Sequence, residues 1–265
     1  MSIERPFDTE PASATDYPMD WIAEHIDEER RRISLLGEIR EVVFGAQDGL
    51  VSTLAVVATV AGATNDQLAI LIAGLAAALA GVFSMAIGEY MGSKSQREIF
   101  QWHITDEWEE VAERPLESQA EVAYMFMEEG MDEADARHVA EILGRYPESL
   151  LATMISKELG LAYDEGDETK GTPLRGALLM GASFAVGGAI PILPFLFGSG
   201  LVALGWATGL TAAVLFAVGA VKSRWTHRFW LWSGLEIVLL AAAAGTAGYL
   251  FGTVLPGLLG FATPA

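Results

Sequence analysis

The sequence contains no cysteine. That absence excludes disulfide scaffolds, thiolate zinc sites, cysteine-ligated clusters and thiol catalysis, and it leaves the redox compartment open. Basic residues are scarce: 16 Lys and Arg stand against 35 Asp and Glu in 265 residues, a formal charge of −19. Such a chain lacks the basic surface that phosphate binding needs, so nucleic acid is excluded as a partner and cations are favoured. Charge of either sign is missing from 176 to 221, 46 successive positions without Asp, Glu, Lys or Arg. One helix crosses a bilayer with about 20 apolar residues, so this run suffices for two crossings. A signal-peptide core is also lacking at the polar, acidic start, and the first span is expected to act as its own insertion signal.

What is present is 52% hydrophobic, and it is gathered into runs. The uncharged stretch breaks at Gly198-Ser199-Gly200, which predicts helices near 175–197 and 201–221. Val42 to Ala63 and Leu68 to Met91 form another pair around the polar turn Thr64-Asn65-Asp66-Gln67, and 230–254 gives a fifth span. The expected fold is an all-α membrane protein with five transmembrane helices. Its domains are a cytoplasmic tail and amphipathic helix at 1–41, helices 1 and 2 within 42–93, a cytoplasmic helical domain at 94–173 inserted between helices 2 and 3 (read below as metal-binding from its acids), helices 3 to 5 within 174–255, and an external tail at 256–265.

Orientation follows from the bases, because Lys and Arg accumulate in cytoplasmic loops. Under this topology all 16 fall on one side, which places the N-terminus in the cytoplasm and the C-terminus outside. The insert carries 20 acids and 7 bases. Pro115, Gly130, Pro147 and Gly160 divide it into expected helices at 94–113, 117–129, 132–145 and 148–160. Val122, Phe126, Val139, Ile142, Leu143, Leu150 and Leu151 supply apolar positions at helical spacing, so a small helical core is expected there. Before the first span, an acidic tail to about Pro18 precedes an amphipathic helix with Trp21, Ile22, Ile26, Ile33 and Leu36 on one side, suited to a membrane surface.

Three carboxylates remain in or beside the spans: Asp48, Glu89 and Glu236. A charge at the centre of a spanning helix costs roughly 2.5–3.5 kcal/mol on insertion scales, so such groups face a cavity or a partner. Counted from the 64–67 turn at ~1.5 Å per residue, Asp48 lies about 25 Å down its helix, Met85 about 31 Å and Glu89 about 37 Å. All three therefore share the cytoplasmic half of a hairpin. Met85 and Glu89 are i, i+4, as are Asp48 and Ser52, so carboxylate, thioether and hydroxyl can line one passage. A snorkelling Glu89 and a space-filling Met85 fit the same positions. Glu236 reads as a proton carrier or, more simply, as a partner for Arg224 or Arg228. Gly205-x-x-x-Gly209 and Gly248-x-x-x-Gly252 are spacings that allow close helix packing.

In the insert, His103, Glu107 and Glu110 fall at i, i+4, i+7, Glu117 and Glu121 repeat an i, i+4 pair on the next helix, and Met154 and Glu158 form a third. Oxygen ligands from several helices suit divalent cations, and a thioether shifts the preference from Mg²⁺ and Ca²⁺ toward transition metals such as Fe²⁺. Most other acids of the insert, including Glu128, Glu129, Asp132, Glu133 and Asp135, read as a solvated acidic face.

Asp48-Gly49-Leu50-Val51-Ser52-Thr53, Gly81-Val82-Phe83-Ser84-Met85-Ala86-Ile87-Gly88-Glu89-Tyr90 running into Lys94-Ser95-Gln96-Arg97-Glu98, Lys157-Glu158-Leu159-Gly160-Leu161, and Gly187-Gly188-Ala189-Ile190-Pro191-Ile192-Leu193-Pro194 together resemble the vacuolar iron transporter family, over about residues 38–255. The resemblance implies a homodimer with its ion path along the subunit interface. It also implies Fe²⁺ export from the cytoplasm in exchange for protons, with Mn²⁺ as a further cargo. By the same resemblance, Asp48 and Met85 match ion-path positions, and Glu107, Glu110, Glu121, Met154 and Glu158 match cytoplasmic metal ligands. Two positions depart from the pattern: a glutamate is expected at or beside Ser118, where Glu117 can substitute, and Ile155 stands where plant members can carry a second methionine.

The expected function is thus a divalent transition-metal exporter in a prokaryotic cell membrane, not an enzyme. Its transport path is Asp48, Met85 and Glu89, and its metal ligands are Glu107, Glu110, Glu117, Glu121, Met154 and Glu158. No cofactor is expected beyond the transported ion. Divalent ions, protons, the bilayer and a second copy of the chain are the expected partners. A membrane-anchored metal sensor and a di-iron carboxylate oxidase are the rival readings. The oxidase would favour Glu-x-x-His pairs, of which the sequence has none.

Overall fold

A computed structural model describes residues 13–14, 17–158, 160, 172–226 and 229–259. The elements are α1 (Met19–Ala63), α2 (Gln67–Glu113), α3 (Pro115–Glu128), α4 (Glu133–Leu143), α5 (Pro147–Glu158), α6 (Pro173–Phe197), α7 (Gly200–Thr226) and α8 (Trp230–Leu258). All regular structure among the described residues is helical. Five helices, α1, α2, α6, α7 and α8, contain stretches long and apolar enough to cross a membrane. The chain divides into two units, residues 1–90 with 171–265, and residues 91–170.

The first unit is organised around α1, which packs against α6, α7 and α8. Leu54 and Val57 of α1 meet Ile70 and Ala78 of α2, Ile192 and Phe195 of α6, and Ala203 and Ala207 of α7 in one buried cluster. Leu50 joins Leu215 of α7 with Ile237 and Ala241 of α8 in a second. Glycines set how closely the helices approach. A Cβ on Gly45 would meet the Met180 carbonyl and the Ser183 hydroxyl. One on Gly49 would meet the Phe184 carbonyl, and one on Gly187 would strike the Ala46 carbonyl, so only hydrogen fits along the α1–α6 crossing. The two small-residue spacings read from the sequence divide. Gly248 and Gly252 pack on the Ala55 and Thr59 carbonyls of α1, whereas Gly205 and Gly209 have nothing within 4 Å.

Turn chemistry fixes the ends. Asp66 Oδ1 accepts from the Leu68 N–H at 2.9 Å between α1 and α2, and Gln67 Nε2 donates to the Phe195 carbonyl at 2.7 Å. Thr172 caps α6 by accepting from the Arg175 N–H, with proline in the first turn. Gly200 opens α7 at φ +70°, a left-handed conformation that glycine adopts without strain. Inside α6, Pro191 and Pro194 each lack an N–H to donate.

One expectation at the N-terminal end changes. The amphipathic stretch and the first span are a single 45-residue helix, because nothing between Met19 and Ala63 breaks it and Gly37 remains helical. Tyr17, Trp21 and His25 stack in succession along its start, at 5.8 and 5.0 Å between centroids. Ile26 is 42% exposed, and the side chains of Ile33 and Leu36 lie outside the described residues.

The second unit has its own core: Val111 of α2, Val122 and Ala123 of α3, Ala136 and Ala140 of α4, and Leu150, Leu151, Met154 and Ile155 of α5. Ile142, expected inside, is 42% exposed, and the small Ala140 takes the inward position. Pro115 stands in the first turn of α3, so that helix starts two residues before the expected 117. Lys157 pairs with Glu129 and lies 4.1 Å over the Phe126 ring, tying α5 to α3.

Candidate metal centre and ion path

The centre of the acidic unit is Glu107. It is 9% exposed, and its Oε2 has no hydrogen-bond partner. Burial, followed by the charges of Glu158, Glu110, Glu121 and Asp106, pushes its carboxyl up to about 7. Both causes act the same way, since low polarity and neighbouring anions each disfavour the ionised form. Glu121 is raised as well, by burial and then by Glu110, Glu158 and Glu117, with Arg114 opposing. The carboxylates of α2, α3 and α5 thus converge although they are spread from 107 to 158 in sequence. Glu110, Glu117 and Glu121 can bring one oxygen each within 4.8 Å of one another, a spacing that a single cation can bridge.

The other expected residues behave differently. Met154 is fully buried in the unit's core. His103 sits edge-on to Trp102 at 4.9 Å. Ser118 is buried and donates its hydroxyl hydrogen to the Arg114 carbonyl at 3.3 Å. Arg114 was not singled out from the sequence. Its guanidinium reaches Glu110 at 3.2 Å and Glu117 at 3.0 Å.

In the first unit Asp48, Met85 and Glu89 are each half-buried. Asp48 lies between the two α1 glycines that clamp α6. Ser52 donates to the Asp48 backbone carbonyl at 2.6 Å, so its proton is engaged and only its oxygen lone pairs could serve a cation. Glu41 stands close enough to Glu89, Arg40, Glu38 and Arg175 for their charges to act on it, and Glu38 pairs with Arg175 at 2.9 Å. Glu41 is a residue that the sequence reading missed. The available signal was its place seven residues, about two turns, before Asp48. Glu236 is exposed, and the side chains of Arg224 and Arg228, its expected partners, lie outside the described residues.

A buried carboxylate beside further acids gathered despite repulsion is suited to a cation, and comparison with known proteins agrees in kind. The model of the VIT family matches residues 39–253. Vacuolar iron transporter 1 of Oryza sativa subsp. japonica is 31% identical over 212 residues, covering 80% of this chain and 82% of that protein. Vacuolar iron transporter 1 of Arabidopsis thaliana is 30% identical over 220 residues, 82% of this chain and 86% of its own. The vacuolar iron transporter of Plasmodium falciparum is 30% identical over 227 residues, 82% of each chain. The match runs through both units and all five membrane-length helices, and on that extent the chain belongs to the VIT family.

Proposed function

We propose that this protein exports divalent transition metal from the cytoplasm, with Fe²⁺ as principal cargo and Mn²⁺ as a second, in exchange for protons. The relatives it matches are named as transporters of iron, which supports transport rather than enzymatic turnover. The observation that carries the reading is Glu107. A buried carboxylate without a hydrogen-bond partner, crowded by four other acids and held near pKa 7, is poised to trade a proton for a cation close to neutral pH.

In this reading the acidic unit is cytoplasmic. Glu107, Glu110, Glu117, Glu121 and Glu158, with the Met154 thioether, gather the ion there. Oxygen donors accept Mn²⁺ as well as Fe²⁺, and one soft sulfur shifts the preference from Mg²⁺ and Ca²⁺ toward transition metals such as Fe²⁺. Glu89, Met85 and Asp48 then carry the ion through the spans. Asp48 is the exchange point, because a carboxylate holds either a metal ion or a proton, and protonation from outside releases the metal. The protein works as a homodimer in the cell membrane, N-terminus inside and C-terminus outside.

The test is Fe²⁺ flux into proteoliposomes with internal pH recorded. The parent protein should move Fe²⁺ with counter-flow of protons, and Asp48→Ala, reconstituted at equal density, should abolish flux. Undiminished flux in Asp48→Ala removes that residue from the path. Metal binding without flux in the parent would favour a sensor, and oxygen consumption on Fe²⁺ addition an oxidase.

A further inference from the structure

We propose that Arg114 is a built-in competitor for the metal centre, a tethered cation that occupies the Glu110–Glu117–Glu121 carboxylates until a divalent ion displaces it. The inference rests on the metal-centre reading above and deepens it, by assigning how that centre is regulated.

Arg114 sits at the joint between α2 and α3, and its guanidinium spans the two helices. One nitrogen lies 3.2 Å from Glu110 on α2, and another lies 3.0 Å from Glu117 on α3. Those two acids, with Glu121, are the group whose oxygens approach within 4.8 Å. Arg114 therefore bonds to two of the three ligands that a bridging ion would use. The charges of Glu110, Glu117 and Glu121 all raise its proton affinity, so all three act on it. An arginine in this place cannot discharge to make way, because its side chain stays protonated at any physiological pH. It can only swing out.

The consequence is a threshold. Without metal, the arginine offsets part of the repulsion among the acids and keeps them together. With metal, the ion must replace two exposed ion pairs, each a modest interaction. The penalty is the same for every divalent ion, so it shifts the concentration at which the centre fills without changing the order of preference.

The backbone role of Arg114 is separable from its charge. Its carbonyl accepts from Glu117 N–H at 3.0 Å and from Ser118 N–H at 3.2 Å, bonds that survive a side-chain substitution. Mn²⁺ titration of the purified full-length protein, followed by the EPR signal of the free ion, tests the idea. Arg114→Gln should bind Mn²⁺ about 3- to 10-fold more tightly than the parent, the range expected for release of two exposed pairs. Arg114→Lys should fall between the two. Raising the ionic strength should narrow the gap, since salt screens the guanidinium pairs. Equal or weaker binding in Arg114→Gln overturns the proposal. Glu107→Gln probes the centre separately: if it binds Mn²⁺ as the parent does, the centre is misassigned around Glu107, whereas the Arg114 comparison still decides the role of Arg114.

Discussion

Glu107 joins two properties that conflict in the metal-free protein, burial and a crowd of like charges. Its carboxyl titrates near 7 when folded, against an ordinary value of 4.5. Between those values the folded state holds a proton that the unfolded state has lost, so metal-free stability falls as pH rises through this window. Below 4.5 the contribution is fully present, and above 7 it is gone. Metal binding runs the other way, because a ligand must be deprotonated. Thermal melting in detergent should therefore show the metal-free protein more stable near pH 5 than near pH 8, with the increment from added Mn²⁺ larger at pH 8. Glu107→Gln should flatten the metal-free slope and weaken the Mn²⁺ increment; an unchanged slope would assign the pH dependence to other acids. Glu107 and Glu110 were legible in the sequence as one helical face. The pairs of Arg114 were readable too, since it falls four residues after Glu110 and three before Glu117, whereas the approach of Glu89 and Arg175 to Glu41 joins separate helices and no spacing along one helix announces it.

At the level of elements, the five spans were legible because polar turns punctuate them: Thr64 to Gln67 before α2 and Gly198 to Gly200 before α7. The continuity of α1 was not, since an amphipathic stretch followed by an apolar one reads as two pieces when no breaker is required to join them. Glycine spacing was half informative, as equal patterns at 205/209 and 248/252 met different surroundings. Packing decides which glycines matter, and a substitution pair measures it. Gly49→Leu drives a side chain into the Phe184 carbonyl and the Gly188 backbone. Overpacking of this kind costs about 1–3 kcal/mol or more. Its melting temperature and monodisperse yield should drop well below those of Gly205→Leu, which has open space around it and should match the parent. Equal behaviour of the two variants would contradict the tight α1–α6 crossing.

For the whole molecule, the least covered span is α2. Leu68, Ile72, Leu75, Leu79, Phe83 and Ile87 run along it at spacings of three and four, each more than half exposed. If α2 forms the interface of the homodimer proposed above, this stripe lies against a second copy. Because the chain has no cysteine, Leu79→Cys gives a single thiol without background. A short bismaleimide should capture a dimer in native membranes, and monomer alone would show that lipid, not a second copy, covers the stripe. The prolines of α6 bear on motion rather than assembly. Pro191 and Pro194 remove two rungs, three residues apart, from the helix ladder just after Gly187, where α6 is pinned to α1 beside Asp48. The helix ladder is thus weakened immediately next to a close contact with α1, so a bend of α6 there would act like a lever beside its fulcrum and would tilt the helix that holds the carboxylate proposed above as the exchange point. Pro191→Ala restores one rung, and should slow Fe²⁺ flux while leaving Mn²⁺ binding at the acidic unit unchanged.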